Sequence, residues 1–285
     1  MATTIGNPLT WWAKNVGAAG RGLGEAARHT GGDQAAADPV VRPITYDDLR
    51  IALRAGVQDF LHFRSDVIVA CLLYPVIGLC LIGLAMHRGL LPLAFPVLSG
   101  FALVGPVAAL GLYELSRRRA RGEPAVWSDT LGVLHAPGFG AIVVLSMGLA
   151  VWYFLWIVTA SLLHTLTMGD VRYGGASEFL QAVTGTPGGW AMMLIGIPLG
   201  FCFALVALAV SVLSFPMLID RDVGLPRAVV ASASLIKRSP GPTLAWGAIV
   251  AAGLLVGALP LLLGLAITLP ILGHATWHLY RRAVI

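Results

Sequence analysis

The sequence predicts an all-α, polytopic membrane helix bundle of about six transmembrane helices, and three observations carry that prediction. Hydrophobic types make up 57% of the 285 residues and charged types only 12%, where a soluble domain carries roughly 25% charged residues. The mean hydropathy is correspondingly high, at +0.82. Apolar runs recur at close to the ~20 residues that a helix needs to cross a hydrocarbon layer. The few arginines sit at the ends of those runs, as topology signals and contacts for anionic lipid do.

Residues 1–42 read as a flexible Ala/Gly-rich N-terminal tail, and residues 43–285 as an integral membrane domain. The first thirty residues hold no apolar h-region, so the first span is expected to act as the insertion signal. Trp11 and Trp12, beside Lys14, are candidates for contact with a partner or the membrane interface.

Residues 45–63 follow as an amphipathic helix. Thr45 and Asp48 have the spacing of an N-cap and N3 pair. Leu49, Leu53, Val57, Phe60 and Leu61 share one face at helical spacing, with Asp47, Arg50, Arg54 and Asp59 mostly elsewhere. Such a helix lies on the membrane surface or packs under the bundle.

The spans are read at 66–86, 90–115, 139–164, 189–215, 241–257 and 260–280. The last two share a stretch without charge, which one long helix or two short ones would satisfy. Gly257-Ala258-Leu259-Pro260 is the natural turn between two. With two, both termini are cytoplasmic and 17 of the 19 basic residues lie inside, leaving Arg88 and Arg172 outside. A repeat agrees with this count. Pro106, Tyr113 and Arg117 are spaced as Pro270, Trp277 and Arg281 are, with a weaker echo at Pro216-Met-Leu-Ile-Asp220-Arg221. Residues 45–65, 124–137 and 224–240 each precede a hairpin, which gives three units of surface helix plus transmembrane hairpin.

The sequence presents no catalytic centre. There is no HExxH, GxSxG or paired-carboxylate motif. No span carries a central ionisable group, and Asp66, Glu114 and Asp220 sit at span ends near arginines. Cys71, Cys80 and Cys202 lie in apolar runs with no CxxC, as packing residues do. His87 with His164, or His274 with His278 and a partner, are the only pairs with the placement of haem ligands, and interfacial histidines explain them more simply. No cofactor, metal or nucleic-acid partner is expected. Small residues at Gly196 and Gly200, and at Gly253 and Gly257, mark faces where helices approach closely, within the chain or between chains. Pro75, Pro96, Pro106, Pro198, Pro216 and Pro270 interrupt the spans and predict kinks.

Four runs carry a resemblance: DLRIALRAGVQDF, GFALVGPVAALGLYELSRRRARGEP, FPMLIDRDVGLPRAV and GHATWHLYRRAV. Over roughly residues 40–283 the chain resembles an uncharacterised bacterial family of predicted multi-span integral membrane proteins, some of whose members carry a cytochrome c oxidase subunit label. The resemblance implies no catalytic residues. A haem-copper catalytic subunit has twelve spans and six ligating histidines, which this chain lacks, so an accessory or assembly subunit is the compatible form. The expected function is a non-catalytic inner-membrane protein in contact with the bilayer and with other subunits, such as those of a respiratory complex. A small-solute or lipid transporter and a haem-binding membrane protein are the alternatives.

Overall fold

The computed structural model describes residue 32 and residues 38–87, 91–171 and 173–285. Trp11 and Trp12 lie outside the described residues. The helices, in chain order, are α1 (Tyr46–Cys71), α2 (Leu73–His87), α3 (Ala94–Ala108), α4 (Leu110–Ala120), α5 (Phe139–Met168), α6 (Ala176–Gly185), α7 (Pro187–Ser211), α8 (Ser214–Asp220), α9 (Leu225–Arg238), α10 (Pro240–Ala258) and α11 (Leu265–Ala283). Among the described residues, short 3-10 helices at Leu91–Leu93 and Trp127–His135 complete the order. The fold is an all-α membrane bundle.

Among the described residues three stretches are long and apolar enough to cross a membrane: Phe139–Met168, Pro187–Asp220 and Pro240–Ala258. They correspond to the third, fourth and fifth expected spans. The other expected spans take a different form. The first is divided between the end of α1 and α2, and the second between α3 and α4. The sixth, in α11, is apolar only in its first half and ends in His274, His278, Arg281 and Arg282.

Prolines account for two of the helix breaks. Pro75 and Pro216 have no N–H to give the carbonyls of Cys71 and Val212, and the helices are interrupted by turns at Leu72 and at Val212–Leu213. At the second break the N–H of Leu213 is satisfied from outside the helix, by the Ser232 hydroxyl of α9 at 3.2 Å. Ala109 bridges the third break, since its N–H reaches the Gly105 carbonyl at 2.9 Å and its own carbonyl accepts from Tyr113 at 3.0 Å. Thus α3 and α4 are continuous across Ala109.

The core is built around α11. Its Ala275, Leu279, Tyr280 and Ala283 are fully enclosed, and Trp277 nearly so. It runs antiparallel to α1, and the chain on either side of the pair is tied together. The N–H of Arg42 donates to the Ala283 carbonyl at 2.9 Å, and that of Ile285 to the Val40 carbonyl at 3.1 Å. Residues 40–42, placed in the tail by composition, therefore belong to the folded body.

The buried face of α1 is rotated from the expected one. Leu49 and Phe60 are buried, but Val57 and Leu61 are exposed, and Ala52, Gly56, Asp59 and Phe63 take their place. Small side chains decide this. A methyl group on Gly56 would lie 2.6 Å from the Ala275 Cβ and 2.7 Å from the Ile271 carbonyl oxygen, so only glycine lets the two backbones come this close. Opposite, a methyl on Gly273 would lie 2.6 Å from Leu112, which seats α4 on the other side of α11.

The four expected packing glycines all face helices of this same chain. A Cβ at Gly196 would meet Leu163 at 3.1 Å, and one at Gly200 would meet Trp156 at 3.1 Å. One at Gly253 would meet Leu272 at 3.0 Å, and one at Gly257 would meet the Thr268 hydroxyl at 2.4 Å. Gly257 closes the turn between α10 and α11, which occupies residues 259–264. Within that turn Leu261 and Leu262 have φ of 51° and 65°. This left-handed conformation is costly for a branched side chain. Leu262 is buried, whereas Leu261 is exposed.

Three outcomes follow for thermal unfolding in detergent, read by tryptophan emission. Gly56→Ala forces α1 off α11 and lowers stability by about 1–3 kcal/mol, the range for overpacking a close contact. Gly196→Ala meets only the tip of a flexible leucine and leaves the midpoint nearly unchanged. Leu261→Gly removes the left-handed strain at an exposed site and raises the midpoint, and a lowered midpoint there would contradict the strain.

Candidate functional site

Two features of the bundle have the make-up of a site: a buried polar layer at the end where α1, α4, α8 and α11 meet, and an apolar cavity beside it.

The polar layer holds four nearly enclosed carboxylates, Asp48, Asp59, Glu114 and Asp220, each with its own cations. Asp59 lies on the small-residue face of α1, three residues after Gly56, so the close approach of α11 carries it inward. Its Oδ1 accepts from Arg119 at 2.7 Å. Its Oδ2 accepts from the Ser116 hydroxyl at 2.5 Å and from His278 Nε2 at 2.8 Å. Ser116 is also 2.7 Å from His274 Nδ1. The serine proton is committed to Asp59, so His274 carries its proton on Nδ1 and donates to Ser116. His274 Nε2 is buried without a well-formed hydrogen bond, although the Leu112 backbone faces the ring.

Serine, histidine and aspartate meet here, but not in the order that makes a nucleophile. In a hydrolytic triad the carboxylate orients the histidine, and the histidine takes the serine proton. Here the carboxylate holds the serine itself and Ser116 is fully enclosed. The arrangement fixes three helices to one another.

The other carboxylates are bound in the same way. Glu114 takes a two-pronged grip from Arg117, at 2.7 and 2.8 Å, and a third bond from Arg118 at 3.0 Å. Arg118 continues to Asp129 at 3.0 Å, tying in the segment before α5. Asp220 accepts from Tyr280 at 2.9 Å and Arg121 at 3.0 Å, with Arg281 at 3.6 Å. Asp48 is bound by Arg282 and, at 3.1 Å, by Arg42. It also accepts from the Thr45 N–H at 2.9 Å, while its own N–H reaches the Thr45 hydroxyl at 3.3 Å. The N-cap and N3 pair read from the sequence is present, and it carries a tertiary ion pair as well.

Burial alone would raise the Asp48 carboxyl, but the Thr45 N–H, Arg282, the Thr45 hydroxyl and Arg42 together hold it at about 2, below its ordinary 3.8. At Asp59 burial again pushes up, and the hydrogen bonds from His278 and Ser116 outweigh it, so that carboxyl is also lowered.

The histidines are not gathered on a common centre. His87 is exposed at the end of α2. His164 lies at the far end of α5, 3.4 Å from the Tyr173 hydroxyl and against the Phe179 ring of α6. His274 and His278 share a face of α11, as their spacing requires, and one nitrogen of each is taken by Ser116 or Asp59. Among the described residues no group of three or more His, Cys, Asp or Glu is placed to hold a metal ion. The Asp66 side chain is not among those described. Sequence reasoning missed Asp59, Ser116 and Arg119. The available signal was the spacing Ala52, Gly56, Asp59, which puts a carboxylate on the face that a small-residue pattern marks for close packing.

The cavity has a volume of about 320 Å³ and lies between α3, α7, α10 and α11. Its lining is almost wholly hydrocarbon, with the hydroxyls of Tyr113, Ser211 and Thr276 at the end nearest the polar layer. No charged residue lines it.

Residues 94–220 match the model of a family described as predicted integral membrane protein (DUF2189). The match runs from α3 to the end of α8. It takes in Glu114, Ser116, the arginines at 117–119 and Asp220, and it leaves out α1 and α11. No curated protein and no solved structure matches the chain. The description agrees with the three long apolar stretches: the chain is an integral membrane protein with several apolar helices.

The lowered carboxyls give stability a pH dependence of definite sign. Folded Asp48 titrates near 2 and the unfolded group near 3.8, so its contribution is complete above the higher value and is lost as pH falls through the lower. Asp59 acts in the same direction. The thermal midpoint in detergent should therefore fall between pH 4 and pH 2, with a shallower fall in Asp48→Asn, whose midpoint is already lower at neutral pH.

Proposed function

We propose that the chain is a non-catalytic membrane subunit that works by contact, as an accessory or assembly component of a larger inner-membrane complex such as a respiratory one. The observation that carries this reading is the use to which its polar groups are put. Each buried carboxylate is spent on cations of this same chain, from neighbouring elements at Asp48, Asp59 and Asp220 and from its own helix at Glu114, and the cavity presents no base, nucleophile or charge to a reactant. A membrane protein whose polar chemistry is consumed in holding its own helices together has its surfaces left to act with.

The bacterial inner membrane, with the polar layer on the cytoplasmic side, fits the same reading. Arg117–Arg121 and Arg281–Arg282 lie at the end of the bundle where residues 40–42 pair with residues 283–285. That end holds the excess of positive charge expected inside. A reporter fused after Ile285 is expected to read out on the cytoplasmic side, and a periplasmic signal would overturn this orientation.

A second reading, a carrier of lipid or a small apolar solute, draws support from the cavity alone. The haem reading draws none from the placement of the histidines. Purification of the tagged protein in mild detergent separates the first two. Recovery with a stoichiometric membrane partner is the expected result. Recovery as a free species, together with altered lipid or solute flux in reconstituted vesicles, would replace the accessory role with the carrier.

A further inference from the structure

We propose that the cavity between α7 and α10 is a binding site for a single hydrocarbon chain, which enters it sideways from the bilayer. The proposal stands whichever of the two readings above holds, because it concerns occupancy and not partners or flux.

The shape of the cavity supplies the first argument. Its floor is enclosed: Trp246 is 1% exposed, and Ala207, Val212, Leu103 and Leu272 are all buried. One side is not. Phe201 and Ala204 on α7, and Leu244, Ala248 and Ala251 on α10, line the cavity and are also exposed at the protein surface. Both helices belong to stretches long and apolar enough to cross a membrane. The mouth between them therefore opens into the hydrocarbon layer and not into water.

Small residues hold that mouth apart. α10 presents Gly247, Ala248 and Ala251 to the cavity, and α7 presents Ala204 and Ala207. At the floor the two helices do touch, since a Cβ at Gly247 would lie 2.9 Å from Leu208. The large side chains at the mouth, Phe201 and Leu244, remain exposed at the surface, and the cavity between the two helices stays unfilled. Void lining forfeits dispersion contacts that any fitting occupant would restore.

The chemistry of the lining decides the occupant. The volume of about 320 Å³ is at the low end of the ≈ 300–1,000 Å³ of ligand pockets, which suits one chain and not a whole lipid. Ser211 donates to the Ala207 carbonyl at 2.6 Å, and Thr276 to the Leu272 carbonyl at 2.8 Å. With these donors already spent and no charge in the wall, the site has little to hold an ordered water cluster and nothing to compensate an ion. A hydrocarbon chain asks for neither, and the bilayer presents it at the mouth at high local concentration.

Trp246 in the floor reports occupancy. The full chain is reconstituted into vesicles of phosphatidylcholine brominated at mid-chain, and separately into unbrominated vesicles doped with a brominated free fatty acid. Bromine quenches indole emission on contact. The Trp246 component is the part of the quenching that disappears in Trp246→Phe. It is expected in the unaltered protein, and it should drop to the Trp246→Phe level in Ala204→Phe and Ala251→Phe, which close the mouth from the lipid-facing side. These two variants keep Trp246, so the comparison survives if Trp246→Phe fails to fold. Quenching by the phospholipid assigns the site to bilayer lipid chains, and quenching by the fatty acid alone assigns it to free acids. Absence of Trp246 quenching with both probes, or equal quenching with the mouth closed, overturns the proposal.

Discussion

The packing of α11 against α1 is the contact on which the rest of this protein depends. It needs Gly56, because a methyl there would lie 2.6 Å from Ala275. It also needs ionic closure at more than one level, because the same close approach draws Asp48 and Asp59 out of solvent. Asp48 is met by Arg282 and Asp59 by His278, both from α11. Removing the partner from either carboxylate strands a buried charge, which costs far more than the contact itself contributes. The contact thus acts less as a source of stability than as a constraint on register. Sliding α11 along α1 by one turn would separate both pairs at once.

The other helices inherit their positions from that register. Ser116 and Arg119 of α4 bind the same Asp59, and Leu112 of α4 sits on Gly273. Asp220, at the end of α8, collects Tyr280 and Arg281 from α11 and Arg121 from the end of α4. Pro106 and Ala109, at the junction of α3 and α4, face the same space as α7, α10 and α11, and the cavity lies between them. The polar layer and the apolar cavity are therefore two consequences of one arrangement. Charge pairing fixes the helices at one end, and small residues line the space between them further along.

The arginines show how a single residue type answers to two constraints. Their distribution satisfies the charge rule for membrane insertion. In the folded protein Arg117, Arg118, Arg119, Arg121, Arg281 and Arg282 are also each bonded to a carboxylate of the polar layer. A topology signal becomes a structural clamp once the helices are inserted, because a guanidinium near the interface lowers its desolvation cost by pairing.

The amino-acid sequence by itself determined the solvent, the helical class, three full-length apolar stretches and the Thr45–Asp48 cap, because each depends on composition or on neighbours a few residues apart. It also marked Gly196, Gly200, Gly253 and Gly257 as close-approach positions without naming what approaches. The tertiary structure decided the rest. Which face of α1 is buried turned on Ala52 and Gly56, whose small size matters only once α11 is beside them. The broken forms of the first two spans turned on how the carbonyl freed by Pro75 and the chain around Ala109 were accommodated. The polar layer joins residues as far apart as Asp59 and His278, 219 positions distant, and no local pattern records a pairing at that range. The cavity is the least legible feature of all, since it is made of side chains that are missing, and their absence becomes a volume only when four helices surround it.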